Sequence, residues 1–299
     1  MFEHYQSGGD ERWGRPIGTV AHRADTRHEV RSITKSIVGL LYGMALADGK
    51  VPPLDAPVVA AFPEYADLAM DAARQRIRVA DVLTMTMGLD WNEDLPYSDP
   101  RNSEIAMERS ADRYRYVLER PVVADPGTVW RYSGGATALL GRLISQGTGE
   151  SLDAFARSHL FNPLGIDDVE WVPGRNGEPA AASGLRLRAP DLARVGQLLL
   201  QRGQWEGRNI VPAEWVAALL TPRVQAFGGM TFGYHWYLAH PREGGGMTTL
   251  AIGWGGQRLV VVPSLDLVYV VFMGNYRRPL MAQLHAVLAV QGAIHGAFR

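Results

Sequence analysis

The fold is decided by one stretch near the N-terminus, Ser32-Ile33-Thr34-Lys35-Ser36-Ile37-Val38-Gly39-Leu40-Leu41-Tyr42-Gly43-Met44-Ala45-Leu46-Ala47. Its residues are almost all apolar or small and leave no polar face, which is typical of a helix that is buried on every side. Asp48-Gly49 follows this run and is typical of the end of a helix. The pattern therefore predicts a central helix over Ile33 to Ala47.

Ser32 and Lys35 stand at the start of this helix, three residues apart, so both side chains point to one face. Burial of an ammonium is costly, so we expect the pKa of Lys35 to fall until its amine can accept the Ser32 proton. The Ser32 N–H is an unsatisfied first-turn donor at the positive end of the helix. The pair predicts a nucleophile, its base and half of an oxyanion hole; the simpler alternative is a capping serine and a surface lysine.

The composition limits the classes of function. The chain has 299 residues, 46% of them hydrophobic, a formal net charge of -1 and no cysteine. At roughly 150 residues per domain, this predicts one large domain or two smaller ones. The near-neutral charge predicts no nucleic-acid partner, and the lack of cysteine excludes disulfides and thiolate chemistry. The histidines show no metal-ligand spacing, so no metal and no cofactor are expected.

No membrane span is expected from the apolar runs. The longest, such as Leu259 to Pro263 and Leu267 to Met273, have five to seven residues and resemble strands. Met1 to Tyr5 do not resemble the start of a signal peptide. A cytoplasmic location is the default expectation, with a periplasmic or secreted one left open if the chain is truncated.

The hydrophobic period changes along the chain. Helical patterns, separated by proline and glycine, occupy much of the sequence, at Val79 to Thr86, Ala136 to Gln146, Leu152 to Leu160, Asp191 to Arg202, Pro212 to Leu220 and Pro279 to Ile294. Aromatic or β-branched runs near the C-terminus predict an antiparallel sheet, at Phe232 to Ala239, Thr248 to Gly253, Gln257 to Val262 and Leu267 to Met273. Gly244-Gly245-Gly246 is predicted to be a loop and not a phosphate cradle, since no helix start follows it.

Two more strands are predicted at the N-terminus, Phe2 to Tyr5 and Ile17 to His22, so that the sheet combines both ends of the chain. The fold class is α+β, an antiparallel sheet flanked by helices with an inserted, mostly helical domain. The predicted domains are a discontinuous α/β domain of residues 1–48 and 191–299 and a mostly helical domain of residues 49–190.

Three short motifs carry a resemblance to a known family. Ser32-x-x-Lys35 opens the apolar helix, Pro126-Gly127 precedes Tyr132-Ser133-Gly134, and Trp254-Gly255-Gly256-Gln257 follows on a C-terminal strand. In this order they resemble the serine β-lactamases and penicillin-binding proteins, in particular the class C-like branch. Leu83 to Trp91 is similar to the segment that follows the first helix in that family. The nearest subgroup is the carboxylesterases and 6-aminohexanoate-dimer hydrolases of β-lactamase fold.

The resemblance implies roles for particular residues. Ser32, Lys35 and Tyr132 would be catalytic, with the phenol of Tyr132 relaying protons. The N–H of Gln257, on the strand edge, would complete the oxyanion hole with that of Ser32. Gly255 and Gly256 would allow close approach beside Trp254, unless they form only a strand bulge.

Two positions depart from the family pattern. Gly134 replaces the usual asparagine, and the uncharged Trp254 replaces a lysine or histidine. We therefore expect a serine hydrolase of small esters or amides that forms an acyl-enzyme on Ser32, with small-molecule or peptide-like substrates. The alternatives are a β-lactamase or D,D-peptidase, and a non-catalytic ligand-binding protein of the same fold.

Overall fold

A computed structural model of the chain describes residues 2–239 and 246–298. Near the N-terminus, β1 (Ser7–Arg12) and β2 (Arg15–Ala21) form a hairpin that is a two-stranded sheet by itself. The prediction that N-terminal strands join the C-terminal sheet is therefore wrong, and Phe2 to Tyr5 form no strand. The strand is held elsewhere: the buried carboxylate of Asp10 pairs at 3.0 Å with Arg186, which lies outside the C-terminal sheet.

The central helix forms with the predicted bounds. After the short β3 (His28–Glu29), α1 spans Ile33–Ala47, and every residue from Ile33 to Ala45 is buried. The chain turns at Asp48, whose N–H bonds back to the carbonyl of Met44. The helix is buried all round because it carries no polar stripe.

A mostly helical region follows. Its helices are α2 (Ala66–Ala69), α3 (Ala72–Gln75), α4 (Val79–Leu83), α5 (Ser103–Arg109), α6 (Arg113–Leu118), α7 (Gly134–Thr148) and α8 (Leu152–Ala156). Tighter or wider helical turns occupy Val58–Ala61, Pro63–Tyr65, Arg157–Phe161 and Asn162–Leu164. Two short strands, β4 (Glu170–Trp171) and β5 (Leu185–Leu187), return to pair with β3 in the order β3-β5-β4.

The chain then builds its main sheet. It continues through α9 (Ala189–Leu200), the hairpin of β6 (Gln204–Trp205) and β7 (Arg208–Asn209), and α10 (Ala213–Leu219). The sheet contains β8 (Val224–Gln225), β9 (Thr231–Phe232), β10 (Tyr237–Ala239), β11 (Thr248–Gly253), β12 (Gln257–Val262) and β13 (Leu267–Val271). All pairs are antiparallel, in the order β13-β12-β11-β10-β9-β8. Short 3₁₀ turns lie at Phe227–Gly229 and Pro263–Leu265, and α11 (Leu280–Ala297) ends the described chain.

Helices cover the sheet, as the α+β prediction requires. Gly196 of α9 lies against Leu259 and Val268 of the two C-terminal strands, and His295 of α11 contacts the hydroxyl of Tyr269 at 3.0 Å. α1 packs between α7 and α10. The α+β architecture is thus confirmed, whereas the division into two domains stays a prediction.

Within the described residues, none of the helices combines the length and the apolar character needed to cross a bilayer. Gly244 and Gly245, part of the predicted glycine loop, lie outside the described residues.

Candidate active site

Ser32 caps the N-terminus of α1 immediately after a strained residue. Arg31 has a φ of 53°, in the left-handed region that non-glycine residues adopt at a cost of about 1–3 kcal/mol. Ion pairs hold its guanidinium, one to Glu29 at 3.1 Å and a second to Glu11. The strain turns the chain sharply into α1 and presents Ser32, which is partly exposed, at the surface.

Lys35 lies beside Ser32, as its spacing predicts. Its ammonium is 3.3 Å from the Ser32 hydroxyl oxygen and donates to the carbonyl of Ala182 at 2.9 Å. It also lies 3.5 Å from Oε2 of Glu104. Lys35 is buried, with 2% of its surface exposed, so these contacts fix the amine in one position. The alternative of a surface lysine is excluded.

The expected fall in the pKa of Lys35 is wrong. Burial works to lower the pKa, but the carboxylate of Glu104, together with Tyr132 and Glu93, outweighs burial and raises the pKa above its ordinary value. The spacing of Ser32 and Lys35 gives no sign of a carboxylate that approaches from α5. The resting site therefore holds Lys35 as an ammonium.

Tyr132 is the third member of this group. Lys35 Nζ lies 4.9 Å from the centre of its ring. Burial raises the pKa of Tyr132, while the charge of Lys35 and a hydrogen bond with Ser32 work to lower it. The structure thus brings Ser32, Lys35 and Tyr132 together, and their catalytic roles remain a proposal.

The Trp254 to Gln257 motif differs from the predicted strand. Trp254, Gly255 and Gly256 form the turn between β11 and β12, and only Gln257 belongs to a strand. The turn requires glycine, because Gly255 and Gly256 have φ values of 88° and 98°. β12 is an interior strand, and the Gln257 side chain donates to the carbonyl of Met273 at 2.6 Å. The oxyanion role of the Gln257 N–H therefore remains a prediction.

The turn nevertheless follows a residue that packs against the chain just before Ser32. Gly253, at the end of β11, has no room for a side chain, since a Cβ would lie 2.3 Å from the carbonyl of Val30 and 3.2 Å from Cβ of Arg31. Trp254 is 37% exposed, and its indole N–H donates to the carbonyl of Tyr276 at 2.7 Å. Its ring lies edge-on to the ring of Tyr97, with 6.4 Å between the two ring centres. Together the two rings form an aromatic wall.

Two carboxyl groups that the sequence analysis gave no role complete the site. Glu104 is buried at the start of α5, where the capping side chain of Asn102 accepts its N–H at 3.0 Å. Glu93 lies on the preceding loop and accepts hydrogen bonds from the indole of Trp91 at 2.6 Å and from the N–H of Gly134. The Tyr97 hydroxyl also donates to Glu93, at 3.3 Å. No periodicity singles these residues out; the only signal is the missing side chain at position 134.

The two carboxyl groups differ in their tendency to ionise. Burial and the neighbouring Glu104 raise the pKa of Glu93 well above its ordinary value. Burial opposes ionisation of Glu104 too, but the Lys35 ammonium and a hydrogen bond with Glu93 hold its pKa below the ordinary value. Ionisation of Glu104, which pairs with Lys35, is therefore favoured over ionisation of Glu93.

The N-termini of three helices converge here. Ser32 begins α1, Asn102 caps α5, and the Ser133 side chain caps α7 by accepting the Ala136 N–H at 3.1 Å. Free N–H groups and helix dipoles favour negative charge at such a place. The Ser32 N–H has no backbone acceptor among residues 2–239 and 246–298. The arrangement suits a reaction in which negative charge develops on an oxygen.

A metal centre finds no support in the parts of the chain that the structure describes, where no group of three His, Asp or Glu side chains is placed to hold an ion. The expectation of no metal and no cofactor stays a prediction.

Known proteins resemble this chain over most of its length. The family model described as Beta-lactamase matches residues 5–291. A 6-aminohexanoate-dimer hydrolase of Paenarthrobacter ureafaciens is 28% identical over 269 residues, which are 82% of this chain and 66% of that protein. Esterase EstB of Burkholderia gladioli is 28% identical over 58% of this chain and 44% of its own length. The chain thus spans less than two thirds of the length of either relative.

Solved structures agree in fold. The octameric penicillin-binding protein homologue from Pyrococcus abyssi superposes with a TM-score of 0.69 at 19% identity, covering 96% of this chain and 73% of that one. EstCE1, a hydrolase with promiscuous acyltransferase activity, gives a TM-score of 0.69 at 19% identity and covers 92% and 91% of the two chains. The resemblance inferred from the three motifs is confirmed. The chain belongs to the beta-lactamase family.

Proposed function

We propose that this protein is a serine hydrolase that cleaves small esters or amides through an acyl-enzyme on Ser32. The observation that carries the proposal is the contact of the Ser32 hydroxyl with Lys35 Nζ at 3.3 Å, beside the phenol of Tyr132. A hydroxyl held against a proton-transfer group at a helix N-terminus is the arrangement that nucleophilic catalysis needs. The names of the two relatives, an amide hydrolase and an esterase, support the same class of substrate.

In the proposed reaction, Ser32 Oγ attacks the carbonyl carbon as its proton passes to Lys35, which rests as an ammonium and therefore gives one of its own protons to a neighbouring base in the same step. The carbonyl oxygen becomes an oxyanion, held by the Ser32 N–H and, as the family pattern predicts, by the Gln257 N–H. Tyr132 then gives a proton to the leaving group, and water releases the acid from Ser32.

The aromatic wall favours uncharged substrates. Trp254 offers an apolar surface and no charge for a carboxylate, so a β-lactam loses an ionic contact that a simple ester does not need. We therefore propose esters or linear amides ahead of penicillins.

The first experiment is labelling with a fluorophosphonate probe. The wild type is expected to be labelled, and Ser32→Ala to lose all labelling while keeping its circular dichroism spectrum. Labelling that persists in Ser32→Ala refutes Ser32 as the nucleophile. A wild type that is folded, unlabelled and inactive on every substrate indicates a non-catalytic binding protein.

The second experiment compares substrates. For a short-chain p-nitrophenyl ester, kcat/KM is expected to exceed that for nitrocefin by at least about tenfold, which corresponds to roughly 1.4 kcal/mol of differential transition-state binding. The linear dimer of 6-aminohexanoate tests amide cleavage. Efficient nitrocefin turnover with negligible ester hydrolysis would identify a β-lactamase instead.

A further inference from the structure

The carboxylate of Glu104 occupies the space that a side chain at position 134 would need. A Cβ placed on Gly134 would lie 2.6 Å from Oε2 of Glu104 and 2.8 Å from its carboxyl carbon. These distances are too short for any real Cβ, so a side chain at position 134 would displace the Glu104 carboxyl group from the position in which it contacts Lys35. A side chain at position 134 and the observed position of this carboxyl group therefore exclude each other.

The same carboxylate is tied to the catalytic group. Oε2 lies 3.5 Å from Lys35 Nζ, and the Ser183 hydroxyl donates to Oε1 at 3.3 Å. Lys35 in turn reaches the Ser32 hydroxyl oxygen at 3.3 Å. A continuous line of contacts thus runs from the nucleophile through Lys35 to Glu104.

We propose that Glu104 is a positioning residue that replaces the missing side chain at Gly134, holds Lys35 against Ser32, and receives through Lys35 the proton that Ser32 gives up. The proposal rests on the proposed hydrolase function and adds a residue to it.

The proton balance is complete without a further reactant. As Oγ bonds to the substrate carbonyl carbon, Lys35 accepts the Ser32 hydroxyl proton and in the same step passes one Nζ proton to the Glu104 carboxylate, 3.5 Å away. Lys35 ends as an ammonium, Glu104 as a neutral acid, and the substrate oxygen carries the negative charge.

This route predicts a dependence on pH. The titratable groups that face Glu104 are Lys35 from α1, Glu93 and Tyr97 from the preceding loop, Tyr132 before α7, and Glu108 on the same helix. When Glu104 is protonated, Lys35 has no acceptor and the rate falls, which gives the acid limb of the profile. With Glu104→Gln, activity instead requires Lys35 itself to lose its proton to solvent.

The first test measures the pH profile of fluorophosphonate labelling and of ester kcat/KM in Glu104→Gln. We expect at least a tenfold loss at pH 7 and an acid limb displaced upward by one pH unit or more. Asp94→Asn, on the same loop as Glu93 but exposed, is the matched control and is expected to keep the wild-type profile. A purely structural role of Glu104 lowers the rate at every pH and leaves the limb in place, and that result overturns the proposal.

The second test uses the steric exclusion. Gly134→Asn is expected to lose at least a hundredfold in kcat/KM, because its side chain collides with Glu104. Adding Glu104→Ala opens the space, and the double variant is expected to recover at least tenfold over Gly134→Asn alone. A double variant no better than the single one, with both folded by circular dichroism, contradicts the exchange of the two positions.

Failure of this proposal can be told from failure of the hydrolase proposal. If the wild type is labelled and its activity depends on Ser32, but the pH profile of Glu104→Gln is not shifted, only the role of Glu104 is refuted. An unlabelled, inactive wild type removes the hydrolase itself.

Discussion

At the scale of single residues, the charge on Lys35 decides how Ser32 is activated. Burial alone favours a neutral amine, yet the Glu104 carboxylate reverses that tendency and keeps the pKa of Lys35 high. The ion pair keeps the proton on Lys35, whose Nζ lies 3.5 Å from Oε2 of Glu104. Lys35 is thus fixed in place by the same carboxylate that would receive a proton from it.

Lys35→Arg is expected to be nearly as damaging as Lys35→Ala. A guanidinium stays protonated and cannot accept the Ser32 proton, so kcat should fall by about 10²–10⁴-fold in both variants. Lys50, the other lysine of the chain, is exposed, and Lys50→Arg is the control that should keep wild-type kcat. Retention of more than about a tenth of wild-type kcat in Lys35→Arg argues against proton transfer through Lys35.

Tyr132→Phe is expected to lower kcat by at least about 10²-fold and to change KM little, because only the hydroxyl near Ser32 and Lys35 is removed. The matched control is Tyr116→Phe, which also removes one tyrosine hydroxyl. That hydroxyl accepts a hydrogen bond from Arg120 at 3.2 Å and not from Lys35. Steady-state kinetics and a thermal melt check the prediction. If Tyr132→Phe lowers the melting temperature with kcat intact, the phenol is structural.

At the scale of elements, α1 is fixed by what packs against its glycines. A Cβ on Gly43 would lie 1.9 Å from the indole ring of Trp215 on α10, and that indole also donates to the carbonyl of Gly39 at 3.2 Å. The helix and α10 are therefore in backbone-to-ring contact. This contact holds the N-terminus of α1, and with it Ser32, in a fixed relation to the sheet.

Gly43→Ala is expected to destabilise the protein by about 3 kcal/mol or more, because overpacking against a fixed ring outweighs the better helix propensity of alanine. Gly292, in the middle of α11, has nothing within 4 Å of its Cβ position, so Gly292→Ala is expected to be neutral or to stabilise by up to about 1 kcal/mol. Urea unfolding curves compare the two. Equal stability of both variants would show that Trp215 moves aside freely.

At the scale of the whole molecule, buried polar groups join distant parts of the chain. The Tyr276 hydroxyl, beyond β13, lies 2.8 Å from Nε2 of His28 and donates to Asp10 of β1 at 3.3 Å. Burial lowers the pKa of His28 to about 4, against a weaker opposing effect of Asp10. His235, between α4 and α7, is bonded to Thr137 at 2.9 Å, and burial lowers its pKa to about 4 as well.

These two histidines predict that stability falls in acid. Each is neutral in the folded protein until the pH approaches 4 but protonates near 6.5 when unfolded, so the unfolded state binds more protons between those values. The free energy of unfolding should therefore rise with pH from about 4 to 6.5, and the histidine contribution should be constant above that range.

His235→Asn is expected to reduce the slope of the unfolding free energy against pH by the contribution of about one proton. This holds whatever the effect of the substitution on absolute stability. His285, which is exposed on α11, supplies the control, and His285→Asn should keep the wild-type slope. Chemical denaturation at several pH values gives both slopes. An unchanged slope in His235→Asn would mean that this histidine is protonated in the folded state.

Local sequence patterns were enough to predict the central helix, the strands β11 and β12 and the contact of Ser32 with Lys35. These depend on an uninterrupted apolar run, on β-branched and aromatic residues, and on side chains three positions apart on a helix. For the same reason, the bounds of α1, β11 and β12 agree with the patterns that predicted them. Tyr132 was expected only from the family resemblance, and the predicted strand Phe232 to Ala239 is wrong, because β9 ends at Phe232 and β10 begins at Tyr237.

Three features could not be predicted from sequence patterns: the charge of Lys35, the place of the N-terminal hairpin, and the presence of Glu93 and Glu104 in the site. Each depends on groups that are far apart in sequence: 69 residues separate Lys35 from Glu104, and 176 separate Asp10 from Arg186. A pKa reflects every charge within a few ångströms, and a strand joins the sheet that its buried side chains allow. The glycine at position 134 shows from the sequence that no side chain is present there. It does not show that the carboxyl group of Glu104 occupies that space.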